Sequence, residues 1–153
     1  MDAAAVLHVL AAAAWVGGTI ALVFATVPTL RKLPREHRAA SVKMLGHRWK
    51  PIGWGSLAIL AATGSALAFG YYNAADPDML LATRFGNFVL AKSVLFVLLV
   101  ITAFLHDFVL GPRLNRQIRD GKPLTLRRPM VIIGWSTFAL TITLPILGVL
   151  MTR

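Results

Sequence analysis

The sequence predicts an all-α, polytopic membrane protein. It is read as one domain over residues 1–153, a bundle of four transmembrane helices with both termini outside. Three observations lead there. Of 153 residues, 57% are hydrophobic and only 14% charged, whereas soluble domains carry roughly a quarter charged residues. Four stretches are nearly free of charge, each long enough for a hydrocarbon core about 30 Å thick. The cations concentrate in two of the three connecting segments. The same facts exclude a soluble enzyme. They also exclude a nucleic-acid binder, despite a net charge of +10, because the cations lie between apolar runs rather than on one water-facing surface. With no cysteine, the chain has no disulfide framework, thiolate zinc site or iron–sulfur cluster.

The spans are predicted at approximately 3–30, 51–72, 86–110 and 129–151. The first holds no Asp, Glu, Lys or Arg, and Asp2 stands where a cleavable signal would carry basic residues, so it is read as a retained span. A short interfacial helix is expected around Arg38 to Lys50, with Val42, Met44 and Leu45 as its apolar side. The second span opens at Pro51 and holds no charge. Asn73 to Arg84 has Asn, Asp and Pro in turn-like clusters. The third span is apolar except for Lys92, His106 and Asp107, and the fourth is uncharged from Pro129 onward. Barrel strands would need strict alternation, which is absent.

Charge sets the expected direction. Segments 31–50 and 111–128 hold every Lys and Arg except Arg84, Lys92 and Arg153. The positive-inside rule puts both segments in the cytoplasm, with the chain in the inner membrane. Trp49 and Trp54 fall at the inner end of span two, Tyr71 and Tyr72 at its outer end, as aromatic belts require. Small residues such as Ala11 to Ala14, Gly18, Gly53 and Gly64 supply close helix contacts, within the chain or with a second copy in a homodimer. Pro28-Thr29-Leu30 and Pro112-Arg113-Leu114 close spans one and three alike, a match too short to define a repeat.

Ionisable groups inside spans are candidates for function, since lipid makes them expensive. His8 lies in the first turns of span one, and Trp15, seven residues on, shares its face. The imidazole is either a hydrogen-bonded interfacial group, or an axial metal ligand or acid–base group. Lys92 lies near the outer end of span three, where it either snorkels or pairs with an anionic cofactor or substrate group. Spans one and three run the same way, so His8 and Lys92 are expected at similar depth and able to face one site. Lys92, Leu99, His106 and Arg113 recur every seven residues and are expected on one face. His106 has Asp107 beside it as a structural partner, and His47 lies at the same inner end as a further metal candidate. His8 and His106 are separated by roughly 20 Å of depth and do not share one ion. His37 is read as solvated. No carboxylate pair lies inside a span, and the methionines form no thioether path; Met44 and His47, at i and i+3, are the nearest to a soft-metal pair.

Leu7-His8, Trp15-Val16-Gly17-Gly18, Ala91-Lys92 and His106-Asp107-Phe108-Val109-Leu110-Gly111-Pro112-Arg113, in that order over four spans, resemble the CopD/HemJ-like membrane proteins. The resemblance covers essentially the whole chain. HemJ-type proteins are protoporphyrinogen IX oxidases carrying heme b. Their important span-one His and span-three Lys would correspond to His8 and Lys92. CopD-type proteins are associated with copper resistance or uptake, usually as part of a longer chain. The four-span length resembles the HemJ architecture, whereas Val27-Pro28-Thr29-Leu30 looks more like CopD and lacks the Arg and His found there in HemJ proteins.

The resemblance implies a b-type heme protein with a redox role, passing electrons to a membrane acceptor. Heme needs an apolar slot, an imidazole and cations for its propionates. In the favoured arrangement His8 ligates iron while Lys92 faces a propionate or a porphyrinogen carboxylate. In the other, His106 is the ligand, with Arg113 or Arg48 on the propionates. Copper transport or resistance is the alternative, and a cofactor-free membrane subunit or assembly factor the third reading.

Overall fold

The computed structural model describes residues 3–70 and 77–150, and every regular element among them is helical. Four helices are long and apolar enough to cross a bilayer: Ala3–Arg31, Ala40–Gly70, Arg84–Arg119 and Arg127–Leu150. They form two helical hairpins, compact units of Met1–Pro77 and Asp78–Arg153. The expected outer aromatics Tyr71 and Tyr72 lie outside the described residues.

In the first hairpin, α1 (Ala3–Ile20) passes through a π-helical segment, Ala21–Thr26, into α2 (Val27–Arg31). The cause is Pro28. It lacks an N–H, and its ring collides with the carbonyl four residues back in a regular α-helix. Widening the preceding turn relieves the collision. The amide of Val27 accordingly reaches back five residues to Leu22 O. Thr26 Oγ1 donates to Ala21 O at 3.1 Å and Thr29 Oγ1 to Ala25 O at 2.8 Å, so hydroxyl donors serve carbonyls beside the break. The Arg38 guanidinium then closes the turn by donating to Arg31 O and Leu33 O, at 2.6 and 2.9 Å.

The return helix α3 spans Arg35–Gly70 without a break. The interfacial helix expected around 38–50 and the span expected from 51 are thus one element, and segment 31–50 is largely helical. Lys43, Met44, Leu45 and Arg48 favour helix strongly, and Pro51 removes only one backbone bond from a long cooperative run. At 36 residues and 1.5 Å each, α3 is about 54 Å long, well beyond a hydrocarbon core. Its packing on α1 centres on Trp15 and Trp49, whose rings stand 6.1 Å apart. Gly18 and Gly53 make room for them: a Cβ at Gly18 would overlap the Trp49 ring, and one at Gly53 would lie 3.1 Å from Trp15 and 3.3 Å from Trp49.

The second hairpin opens with α4 (Pro77–Ala82) and α5 (Arg84–Phe104). Thr83 caps α5, its Oγ1 accepting from Gly86 N at 2.9 Å. A second π segment, Leu105–Leu110, leads into α6 (Gly111–Arg119). Its cause is again a proline, Pro112, and the Gly111 amide reaches five residues back to His106 O. The helix therefore continues past 110, where the third span was expected to end, and about half of the expected loop 111–128 is helix. Gly121, at φ +64°, ends it in a left-handed turn. Lys122 N bonds to Gln117 O at 3.0 Å across that turn. The Gln117 side chain then ties down the far side, donating to Thr125 Oγ1 (2.9 Å) and accepting from Leu126 N (3.4 Å). α7 (Arg127–Leu150) runs back through Pro145. Leu99 and Ala103 of α5 and Thr141 and Leu144 of α7 are the buried side chains of this pair.

Candidate functional site

His8 sits one heptad before Trp15, and both face α3. Its Nδ1 lies 2.8 Å from Thr63 Oγ1. Thr63 Oγ1 is also 2.6 Å from Ile59 O, to which it donates its only proton. The hydroxyl can therefore only accept from His8, so Nδ1 is the donating nitrogen of this bond. Gly64 keeps the neighbouring surface flat, since a Cβ there would lie 3.4 Å from His8 Cε1. Thr63 is buried and His8 half-buried. An imidazole held by an Nδ1–H bond is an arrangement metal-binding histidines use.

In the second hairpin, Lys92 and His106 both turn toward α7. Cβ atoms added at Gly148 and Gly134 would lie 3.3 Å from Lys92 Nζ and 3.6 Å from His106 Nε2. His106 Nδ1 is 3.0 Å from Asp107 Oδ1. An ionised carboxylate can only accept, so Nδ1 is the donating nitrogen of this contact. Lys92 and His106 are fourteen residues apart on one helix, about 21 Å at α-helical rise. Each thus forms a separate local environment within the hairpin.

Arg113 is exposed, as are His47 and Arg48. His47 lines a shallow groove with Ala40, Lys43, Met44 and Arg48, where two cations flank the Met44/His47 pair and oppose a metal cation. Among the described residues no three His, Asp or Glu side chains come together to hold a metal ion. The residues that sequence reasoning missed are the partners Thr63, Gly134 and Gly148, whereas Gly64 was expected as a close helix contact but not as a neighbour of His8. Their only signal was a polar or small residue inside an apolar run, and nothing in the sequence pairs 8 with 63.

The two hairpins share a register. Pro28 and Pro112 lie 84 positions apart, and so do the two π segments. The same step takes His8 to Lys92, Trp15 to Leu99, and Gly64 to Gly148. Phe24 and Leu30 correspond likewise to Phe108 and Leu114, extending the short Pro-x-Leu match to Phe-x-x-x-Pro-x-Leu. Each hairpin therefore sets one polar side chain against a glycine of its return helix, at equivalent positions.

Neither the curated proteins nor the solved structures contain a match to this chain. A family match does exist, over residues 43–150, which is more than half of the chain, and its description is Copper resistance protein D. The chain, with four helices able to cross a membrane, belongs to this CopD family of integral membrane proteins.

Proposed function

We propose that this CopD-family protein binds b-type heme through His8 and acts in membrane redox chemistry. The observation that supports the reading is the Thr63 hydrogen bond, which orients the His8 ring through Nδ1, as hydrogen-bond partners orient metal-binding histidines. Heme iron brings four ligands of its own and needs one or two from the protein, so single oriented imidazoles suit it better than a bare ion. Bound heme would supply one-electron transfer to a membrane acceptor. The chain would contribute the His8 ligand and its orientation by Thr63. Lys92 is the residue we assign to catalysis if the substrate is protoporphyrinogen. His106, beside Asp107, is the alternative ligand, with Arg113 for a propionate. The reading takes the chain as a single inner-membrane domain with the basic segments in the cytoplasm and the termini outside.

A reduced-minus-oxidised absorbance spectrum of the detergent-purified protein, expressed with ample heme, tests the proposal. Soret and alpha bands are expected, and their absence overturns it. His8→Ala is expected to abolish or shift the bands while His106→Ala leaves them; the reverse result moves the ligand to His106. The second reading, copper transport or resistance, rests on the family description. Copper bound in stoichiometric amount, together with copper-dependent growth and no heme, would favour it. A constant co-purifying partner with neither metal nor heme would instead favour a subunit role.

A further inference from the structure

We propose that the start of α7 is a binding site for one anionic phospholipid, independent of any heme or copper site. Arg127 and Arg128 line a shallow groove together with Leu124, Thr125, Val131 and Ile132. Both arginines are exposed, and so are Leu124, Val131 and Ile132, at 45%, 50% and 64%. A cationic head beside an apolar track is the complement of a phosphodiester carrying acyl chains.

Among the described residues no ion pair involves either arginine. Two adjacent cations occupy the first turn of a helix, the end where the macrodipole disfavours positive charge, and that turn holds no acid. From Gly111 to Leu150 the only carboxylate is Asp120, and it lies 3.6 Å from both Arg119 Nε and Lys122 Nζ. The backbone donors of this turn are mostly spent or missing. Arg127 N bonds to Leu124 O and Met130 N to Leu126 O, while Pro129 has no N–H. Recognition therefore falls to the two guanidinium groups, whose paired donors match phosphate oxygens.

The site is also built in advance. The left-handed turn at Gly121 and the Gln117 clasp on Thr125 and Leu126 hold the loop that carries Leu124. A lipid docking there spends little on ordering the protein. Trp135, two turns further along α7, is 57% exposed and meets Phe138 edge-on, which extends the exposed apolar surface beyond Val131 and Ile132.

The test uses the full-length protein in an uncharged detergent, offered equal amounts of phosphatidylglycerol and phosphatidylcholine with matched chains. Native mass spectrometry reads the lipid retained. The wild type is expected to keep one phosphatidylglycerol with a preference on the order of tenfold, and R127Q/R128Q to fall to about twofold or less. R127K/R128K keeps the charge and loses the paired donors, so an intermediate preference is expected; this variant carries the test if the glutamine pair fails to fold. K43Q/R48Q, in the basic groove of α3, should leave the preference unchanged. Wild-type preference in R127Q/R128Q overturns the proposal. So does equal loss in K43Q/R48Q, which would make the effect one of net charge, or displacement of the lipid by millimolar inorganic phosphate, which would mean the apolar track is unused.

Discussion

The two hairpins are built on one frame and filled differently. Each has a π segment ending two residues before a proline, and each sets a polar side chain against a glycine of its return helix. Where the first hairpin holds its helices with Trp15 and Trp49 interleaved over Gly18 and Gly53, the second uses Leu99, Ala103, Thr141 and Leu144. The polar complement differs as well. The first presents a histidine at the position where the second presents a lysine, and the second adds His106 and Asp107 where the first has Leu22 and Val23. The frame is thus a matter of backbone and small residues, while the chemistry is set by a few replacements at fixed positions.

Exchanging those replacements is the sharpest way to break the comparison. Trp15→Leu, which installs the second hairpin's residue in the first, should empty the space beside Trp49 and cost about 2–4 kcal/mol. Leu99→Trp, the reverse exchange, overpacks a site that has no facing glycine pair and should cost about 1–3 kcal/mol. Thermal or SDS-induced unfolding in mixed micelles measures both, and an unchanged midpoint for Trp15→Leu would show that the tryptophan pair does not hold the first hairpin.

Glycine substitutions come next. Ile52-Gly53-Trp54 and Ile133-Gly134-Trp135 look alike in sequence, but a Cβ at Gly53 lies 3.1 Å from Trp15, and one at Gly134 meets His106 at an ordinary 3.6 Å. Gly53→Ala should therefore lose about 1 kcal/mol or more to crowding, whereas Gly134→Ala should be neutral or gain up to about 1 kcal/mol of helix propensity. Opposite signs in one unfolding assay support the distinction; equal shifts refute it.

Thr63→Val removes the His8 partner with little change in shape, and should cost about 1 kcal/mol, as interhelical hydrogen bonds in membranes typically do. The smallest effect concerns the shared frame. Pro28→Ala and Pro112→Ala each remove the ring that forces the π segment, so their stability changes should agree to within about 0.5 kcal/mol. A larger gap would mean the two π segments have different causes.

The membrane class and the four apolar helices were legible because burial in lipid demands long uncharged runs, and nothing in a sequence is plainer. Helix ends were not. Pro51 and the Gly111-Pro112 pair read as boundaries, yet in both places good helix formers on either side carry the helix through. The His106–Asp107 contact was legible from adjacency alone. The His8–Thr63 contact was not, since helices that are apolar all round carry no periodic signal of which face meets which partner. The heptad through Lys92, Leu99, His106 and Arg113 shows both outcomes. Its first three members lie on the side of α5 and the π segment that faces α7, while Arg113 lies beyond the π segment and is exposed.

That last difference follows from what a π turn does to phase. A turn that closes five residues back in place of four holds one surplus residue, and one residue is about 100° of rotation. The crossing helix is therefore two cylinders joined by a fixed angular offset, and a side chain past residue 26 or 110 answers to a different clock from one before it. A cysteine-by-cysteine labelling scan along Ala3–Arg31 or Arg84–Arg119 should reveal this as a skipped beat in the reactivity pattern at each junction. A single wheel drawn through either helix would assign the wrong face to every residue on the far side of the seam.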